Sequence, residues 1–200
     1  MTMKTLLLTA TALVALTGPA AMAQSKGDVT VGLGIGYVDP TSDNGTLAGS
    51  KLSIGSDTQP TLTVEYFLTD TLGLELLAAT PFTHDLSLGG TRIGTVKQLP
   101  PTISINYHYA NATAFTPLVG IGLNYTTALD VSSPLGKVTL EDSWGVAAHL
   151  GVDYAITPTS AIRTDLRWID INMDTRLNGA RIGTAEVDPV IFGMSYIMTF

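Results

Sequence analysis

The sequence predicts an all-β fold, an eight-stranded antiparallel transmembrane β-barrel with short periplasmic turns and long extracellular loops. Three observations predict it. Eight segments alternate apolar and polar residues with a period of two, as strands with one apolar face do. The chain is 45% hydrophobic and only 14% charged, yet past its first residues no run approaches the ~18 apolar residues of a spanning helix. An apolar, exported chain without such a helix crosses a membrane as a closed barrel. Finally, the connections between the eight segments alternate between short and long.

Export is read from the first 23 residues. Met1–Lys4 is a short positive segment, Leu6–Leu16 an apolar run too short to span, and Ala21-Met22-Ala23 an A-x-A cleavage site. Residues 1–23 are therefore expected to be a removed signal peptide, and residues 24–200 one barrel domain. The chain has no cysteine, so its stability must come from burial or from a closed hydrogen-bonded sheet. Ten basic against 17 acidic residues give a net charge of -7 with no basic stripe, which argues against a nucleic-acid partner.

The first expected strand is Asp28–Tyr37, with Val29, Val31, Leu33, Ile35 and Tyr37 opposite Gly32, Gly34 and Gly36. The second, about Thr61–Leu68, sets Leu62, Val64 and Tyr66 against Thr63 and Glu65; the third, Leu72–Thr80, sets Leu74 and Leu76 against Glu75 and Leu77. In the fourth, PPTISINYHY, Ile103, Ile105, Tyr107 and Tyr109 oppose Thr102, Ser104, Asn106 and His108. The fifth (Phe115–Thr127) and sixth (Ser143–Tyr154) place Ile121, Leu123, Val146 and Leu150 opposite Gly120, Gly122, His149 and Asp153. The seventh (Ala161–Ile171) sets Leu166 and Trp168 against Arg163, Asp165 and Arg167, and the eighth (about Ala185–Phe200) ends on Tyr196, Met198 and Phe200.

Glycines and charges share one face. Small residues belong inside a narrow eight-stranded barrel, so the aliphatic face is assigned to lipid. Aromatic residues then sort into a periplasmic belt, including Tyr66, Tyr107, Tyr109, Phe115 and Tyr154, and an outer belt of Tyr37, Phe82, Tyr125, Trp144 and Trp168. Outer-membrane lipid is the expected surroundings. The lumenal charges Glu65, Glu75, His108, Asp153, Arg163, Asp165 and Arg167, with Asp28, gather toward the periplasmic end and read as an ionic plug. Buried charges in small barrels pair to satisfy the interior, and Arg163 with Glu65, Glu75 or Asp165 is the pairing to look for. No histidine falls on the lipid face of a strand, and the three histidines sit at different heights, so neither a catalytic site nor a metal site is expected, and no cofactor.

Four stretches carry a family resemblance: ELLAATPFTHDL (Glu75–Leu86), LPPT (Leu99–Thr102), GIGLNYTT (Gly120–Thr127) and EDSWGVAAHLGVDY (Glu141–Tyr154). In this order they resemble the OmpW family of small outer-membrane proteins. The resemblance implies an eight-stranded barrel with a narrow hydrophobic channel, a small hydrophobic ligand, and a gating tryptophan near the mouth, for which Trp144 is the candidate. The terminal Phe200 resembles the signal read by the outer-membrane assembly machinery. Candidate ligand-lining residues are Leu77, Ala79, Ala147 and Ile169, with Leu52 and Ile54 if the first outer loop folds over the mouth. Pro81, Pro100 and Pro101 mark either strand ends or a lateral opening, since each removes a backbone donor. The alternative function is a structural or surface-interaction barrel with no transport role.

Overall fold

The computed structural model describes residues 24–200; the expected signal peptide lies outside the described residues. The chain forms β1 (Val29–Asp39), β2 (Thr46–Leu47), β3 (Ser50–Ile54), β4 (Asp57–Phe67), β5 (Leu72–Ala79), β6 (Phe82–Leu88), β7 (Thr91–Leu99), β8 (Thr102–His108), β9 (Phe115–Ser132), β10 (Val138–Leu140), β11 (Ser143–Thr157), β12 (Ser160–Ile169), β13 (Asn172–Leu177), β14 (Ala180–Glu186) and β15 (Val190–Thr199).

Eight of these strands close a ring. β1, β4, β5, β8, β9, β11, β12 and β15 pair antiparallel in that order, and β15 returns to β1 with Thr30 opposite Thr199. Closure removes both sheet edges, so every strand gives its backbone groups to two neighbours. The eight segments follow the expected alternation, with β4, β9 and β11 running further than the pattern suggested and the eighth starting at Val190, because Ala185 and Glu186 belong to β14.

The long outer connections are not irregular loops. Their strands form a second tier in the order β10-β13-β14-β2-β3-β6-β7, which joins the upper half of β9. This crown stands above the outer aromatic belt. The local reason is turn chemistry. Residues 48–49, 89–90 and 178–179 each connect two crown strands, and both residues of each pair have positive φ. Two-residue turns of that kind match the right-handed twist of the strands they join. Asn178-Gly179 and Gly89-Gly90 supply residues that tolerate this conformation. Asn44 then ties the tier together: its Nδ2 donates to the Glu186 carbonyl at 2.7 Å and its Oδ1 accepts from the Ile54 amide at 3.0 Å.

The faces sort as the alternation requires. Leu33, Ile35, Leu76, Ile103, Ile105, Ile121, Leu123 and Leu150 are exposed on the outside, while Glu65, Glu75, Asn106, His108, His149 and Arg163 are buried within the ring. Two expectations are corrected. Phe82 is buried, because the chain loses its alternation between Leu77 and Phe82 and turns the ring inward. Asp28 precedes β1 and bonds outside the ionic network; its carboxylate accepts from the Ser25 amide at the periplasmic turn.

Ile105 lies midway along β8 on the outward face. Ile105→Arg is expected to destabilise the barrel by ~2–4 kcal/mol, the depth-dependent cost of a cation at the bilayer midplane. Urea unfolding from lipid vesicles measures it, and an unchanged midpoint would place Ile105 away from the hydrocarbon.

Candidate functional site

The lumen is stacked in layers, and the lowest of functional interest is ionic. β4 and β5 place Glu65 directly opposite Glu75, and β11 and β12 place Asp153 opposite Arg163. Two carboxylates facing one another repel unless a cation stands between them. Arg163 Nη1 takes that place, at 2.9 Å from Glu75 Oε2 and 3.2 Å from Glu65 Oε2. The other edge of the same guanidinium holds Asp153 in a bidentate pair, Nε at 2.7 Å and Nη2 at 2.9 Å. Arg167 Nη1 reaches Glu75 Oε1 at 2.8 Å and its Nε reaches Asp165 at 3.3 Å, while His108 Nε2 donates to Glu65 Oε1 at 2.8 Å.

The seven residues expected in the plug are thus gathered in one network. Glycines make the space: a Cβ at Gly73 would collide with the Glu65 carboxylate, and one at Gly193 with that of Asp165. Asn106 and His149 belong to the network too. Asn106 Nδ2 donates to Glu65 Oε1 at 3.0 Å, and His149 Nδ1 lies 3.1 Å from Asn106 Oδ1. The alternation shows that both face inward, but not how far a side chain reaches across the ring.

Above the ions the lumen is apolar on one side, while Thr102, Asn124, Thr126 and Ser143 are buried polar residues on the β8–β9–β11 side. Val38, Phe82, Ala147, Ile169, Ile171, Met173, Val187 and Ile191 pack into a closed neck, with Ile54 and Ala79 against it. Above the neck the crown encloses a small, largely shut apolar funnel, a cavity of about 30 Å³ whose walls include Leu52, Ile54, Leu86, Ile93, Val131 and Ile182. The expected lining set therefore divides by height. Leu52 and Ile54 line the funnel, Ala79, Ala147 and Ile169 belong to the neck, and Leu77 is buried opposite Thr102, one inward step above the Glu75–Ser104 pair. Phe82, Ile171, Met173 and Val187 were not anticipated. The run Ile169, Ile171, Met173 continues the period of two and carries the signal for two of them.

The wall has a seam between β5–β6 and β7–β8. β5 and β8 pair from Leu72↔Tyr107 to Leu77↔Thr102, and pairing resumes in the crown at Phe82↔Gln98. Between them no ladder joins Ala78–Pro81 to Leu99–Pro101, although Ala78, Ala79 and Leu99 keep partners on their other flanks, and Pro81, Pro100 and Pro101 have no amide hydrogen to offer. The other flank of the same turn is stitched: Thr80 Oγ1 donates to Gln59 Oε1 at 2.8 Å, and the Thr83 amide donates to Asp57 Oδ2 at 2.7 Å.

Trp144 is corrected as a gate. It is 73% exposed on the outer face of β11, its ring 4.9 Å from that of Tyr125, and a side chain on that face cannot close the lumen. His84 sits on β6 in the crown rather than in a loop. Its Nδ1 donates to the Gly55 carbonyl at 2.6 Å, and its Nε2 accepts from Gln98 Nε2 at 3.0 Å, so the ring is neutral. Burial pushes its pKa below the usual 6.5, against the opposing pull of the Gly55 carbonyl and Asp57.

Two outcomes follow. Arg163→Met strands Asp153, Glu65 and Glu75 without their shared cation, and is expected to cost ~3–5 kcal/mol in vesicle unfolding; a loss below ~1 kcal/mol would mean the cluster is wet. For His84 the unfolded chain holds the proton more tightly than the folded crown. The crown's stability is therefore full above pH 6.5 and falls as the pH drops below it toward the lowered folded value. Hydrogen exchange of the β6–β7 amides across this window reads the loss, and His84→Gln should flatten it.

The OmpW family profile matches residues 25–200. Outer membrane protein W of Escherichia coli (strain K12) is 36% identical over 207 residues, covering 96% of this chain and 98% of that protein. Its counterpart in Vibrio cholerae serotype O1 is 35% identical, covering 90% and 92%. Among solved structures, the outer membrane protein OprG from Pseudomonas aeruginosa superposes with a TM-score of 0.79 at 31% identity, covering 90% of this chain and 99% of that one. An eight-stranded barrel with two aromatic rims, matched along nearly its whole described length by outer-membrane barrels, has one assignment: the chain belongs to the OmpW family and is an outer-membrane protein of a Gram-negative bacterium.

Proposed function

We propose that the barrel takes small hydrophobic molecules from outside into its crown funnel and releases them sideways into the outer membrane. The carrying observation is the position of the unpaired seam. It lies between an apolar entrance and an ionic floor, beside the neck residue Ala79. A hydrophobic molecule that enters the funnel gains by leaving water. Moving on through the floor would force it against paired, buried charges that it cannot solvate, so the axial route is closed to it. The seam between Ala78–Pro81 and Leu99–Pro101 is the way out that separates the fewest backbone hydrogen bonds. The neighbouring outer aromatic belt supports an exit at the height of the outer leaflet. No catalytic group is involved in this reading. Phe200, 73% exposed at the chain end, is the contact offered to the assembly machinery.

Uptake of n-decane by outer-membrane vesicles with and without the protein tests the reading. Uptake is expected to rise several-fold with the protein and to fall back with Ala147→Leu, which fills the neck. In a chain without cysteine, Ala79→Cys with Pro100→Cys staples the seam. Oxidation should suppress uptake and reduction restore it. Equal uptake by stapled and reduced protein would remove the lateral exit while leaving the funnel, and no effect of the protein at all would favour a surface-interaction role.

A further inference from the structure

Two nitrogens at the top of the ionic floor are buried without a partner among the described residues. Arg167 spends Nε on Asp165 and Nη1 on Glu75, and its Nη2 has nothing to donate to, although the residue is only 4% exposed. Directly across the strand pair stands His149, 2% exposed, whose Nε2 is also unpartnered.

The hydrogen bonds fix what His149 offers. Asn106 donates through Nδ2 to Glu65, so its Oδ1 is an acceptor, and His149 Nδ1 at 3.1 Å must carry the proton. His149 Nε2 is then a bare lone pair. Neighbouring residues of facing strands thus present one donor, Arg167 Nη2–H, and one acceptor, His149 Nε2. The next inward residues above them on the same two strands are Ile169 and Ala147, and Ile191 faces Arg167 from β15. All three belong to the apolar neck.

We infer that this pair is the head-group end of the ligand site, and that the class of molecule it selects is an apolar chain ending in one hydroxyl. The hydroxyl oxygen accepts from Arg167 Nη2, its hydrogen goes to His149 Nε2, and the tail enters the neck against Ala147, Ile169 and Ile191, whose closed packing parts to admit it. A carboxylate fits worse. It has no hydrogen for His149, and the floor already holds Glu65, Glu75, Asp153 and Asp165 against Arg163 and Arg167 alone. A hydrocarbon satisfies neither nitrogen. His108 Nδ1 is also unpartnered, but His108 packs against Phe67 at the periplasmic end, two inward steps below Ser104, and takes no part. The inference rests on the funnel being the ligand's path, and it adds a chemical preference to that path: alcohols are held where alkanes slide past to the seam.

Binding of 1-decanol and of n-decane to the full chain in lipid nanodiscs tests it, with empty nanodiscs subtracted for partition into lipid. The decanol preference of the wild type is expected to be about tenfold, the scale of one well-made hydrogen bond. His149→Leu should bind both compounds equally. As a readout that needs no variant, the ¹⁵N resonance of His149 Nε2 should move upfield on adding decanol and stay in place with decane. Equal binding of the two compounds to the wild type, with a stationary resonance, would overturn the inference: the nitrogens would then serve solvent alone, and the funnel reading would stand. Binding of neither compound would overturn both.

Discussion

Arg163 joins carboxylates from three strands inside a ring too narrow to hydrate them, and the rest of the molecule is built around that constraint. Its guanidinium contacts Asp153 of β11, Glu65 of β4 and Glu75 of β5. Groups like these repay their desolvation only as a complete set with good geometry, so the network leaves little freedom to its surroundings. Glycines must stand where the carboxylates swing in, at Gly73 and Gly193. The ring must close, because an open edge would admit water to the charges. Axial passage is given up in exchange. The apolar part of the lumen lies above the ions.

That upper half is made by continuity of the strands. β9 is 18 residues long: its lower part pairs with β8 inside the ring, and its upper part pairs with β7 in the crown. Such a strand transmits the rigidity of the barrel to the outer tier. The funnel is therefore a walled extension of the barrel, and Asn44 fastens the far side of it by bonding two separate crown segments. His84 does the same work nearer the seam, holding Gly55 and Gln98 from opposite edges of one ring.

Much of this was legible in the sequence. A period of two fixes which face each residue takes, and the shared face of glycines and charges tells inside from outside; the eight barrel strands and the seven plug residues follow from those two facts. The crown was not legible, although Asn178-Gly179 carries a hairpin signal. Its strands are short and its alternation is weak, because apolar residues such as Leu47, Leu52 and Leu86 are needed only on the funnel wall. Partner choice inside the plug was partly hidden for another reason. Asn106 and His149 sit on β8 and β11, and it is the curvature of the ring that brings them within reach. Phe82 was misplaced by a single residue of slip, and that slip has a meaning of its own.

On β5 the inward residues are odd-numbered, Gly73, Glu75 and Leu77; on β6 they are even-numbered, Phe82, His84 and Leu86. On the facing chain the inward residues next to the seam are even on both sides of it, Val96 and Gln98 on β7, then Thr102 and Ser104 on β8. One side of the seam thus carries an extra residue that the other side does not match. This is a dislocation in the sense used for crystals: a misfit of one unit between two otherwise regular lattices. Such a defect can be pushed up or down its line, but no side-chain substitution erases it. Replacing the prolines would return amide hydrogens to the seam without bringing the lattices into step. Only deleting a residue on one side, or inserting one on the other, would let the two tiers knit into an unbroken wall, so the weak line is written into chain length and not into the identity of any one residue.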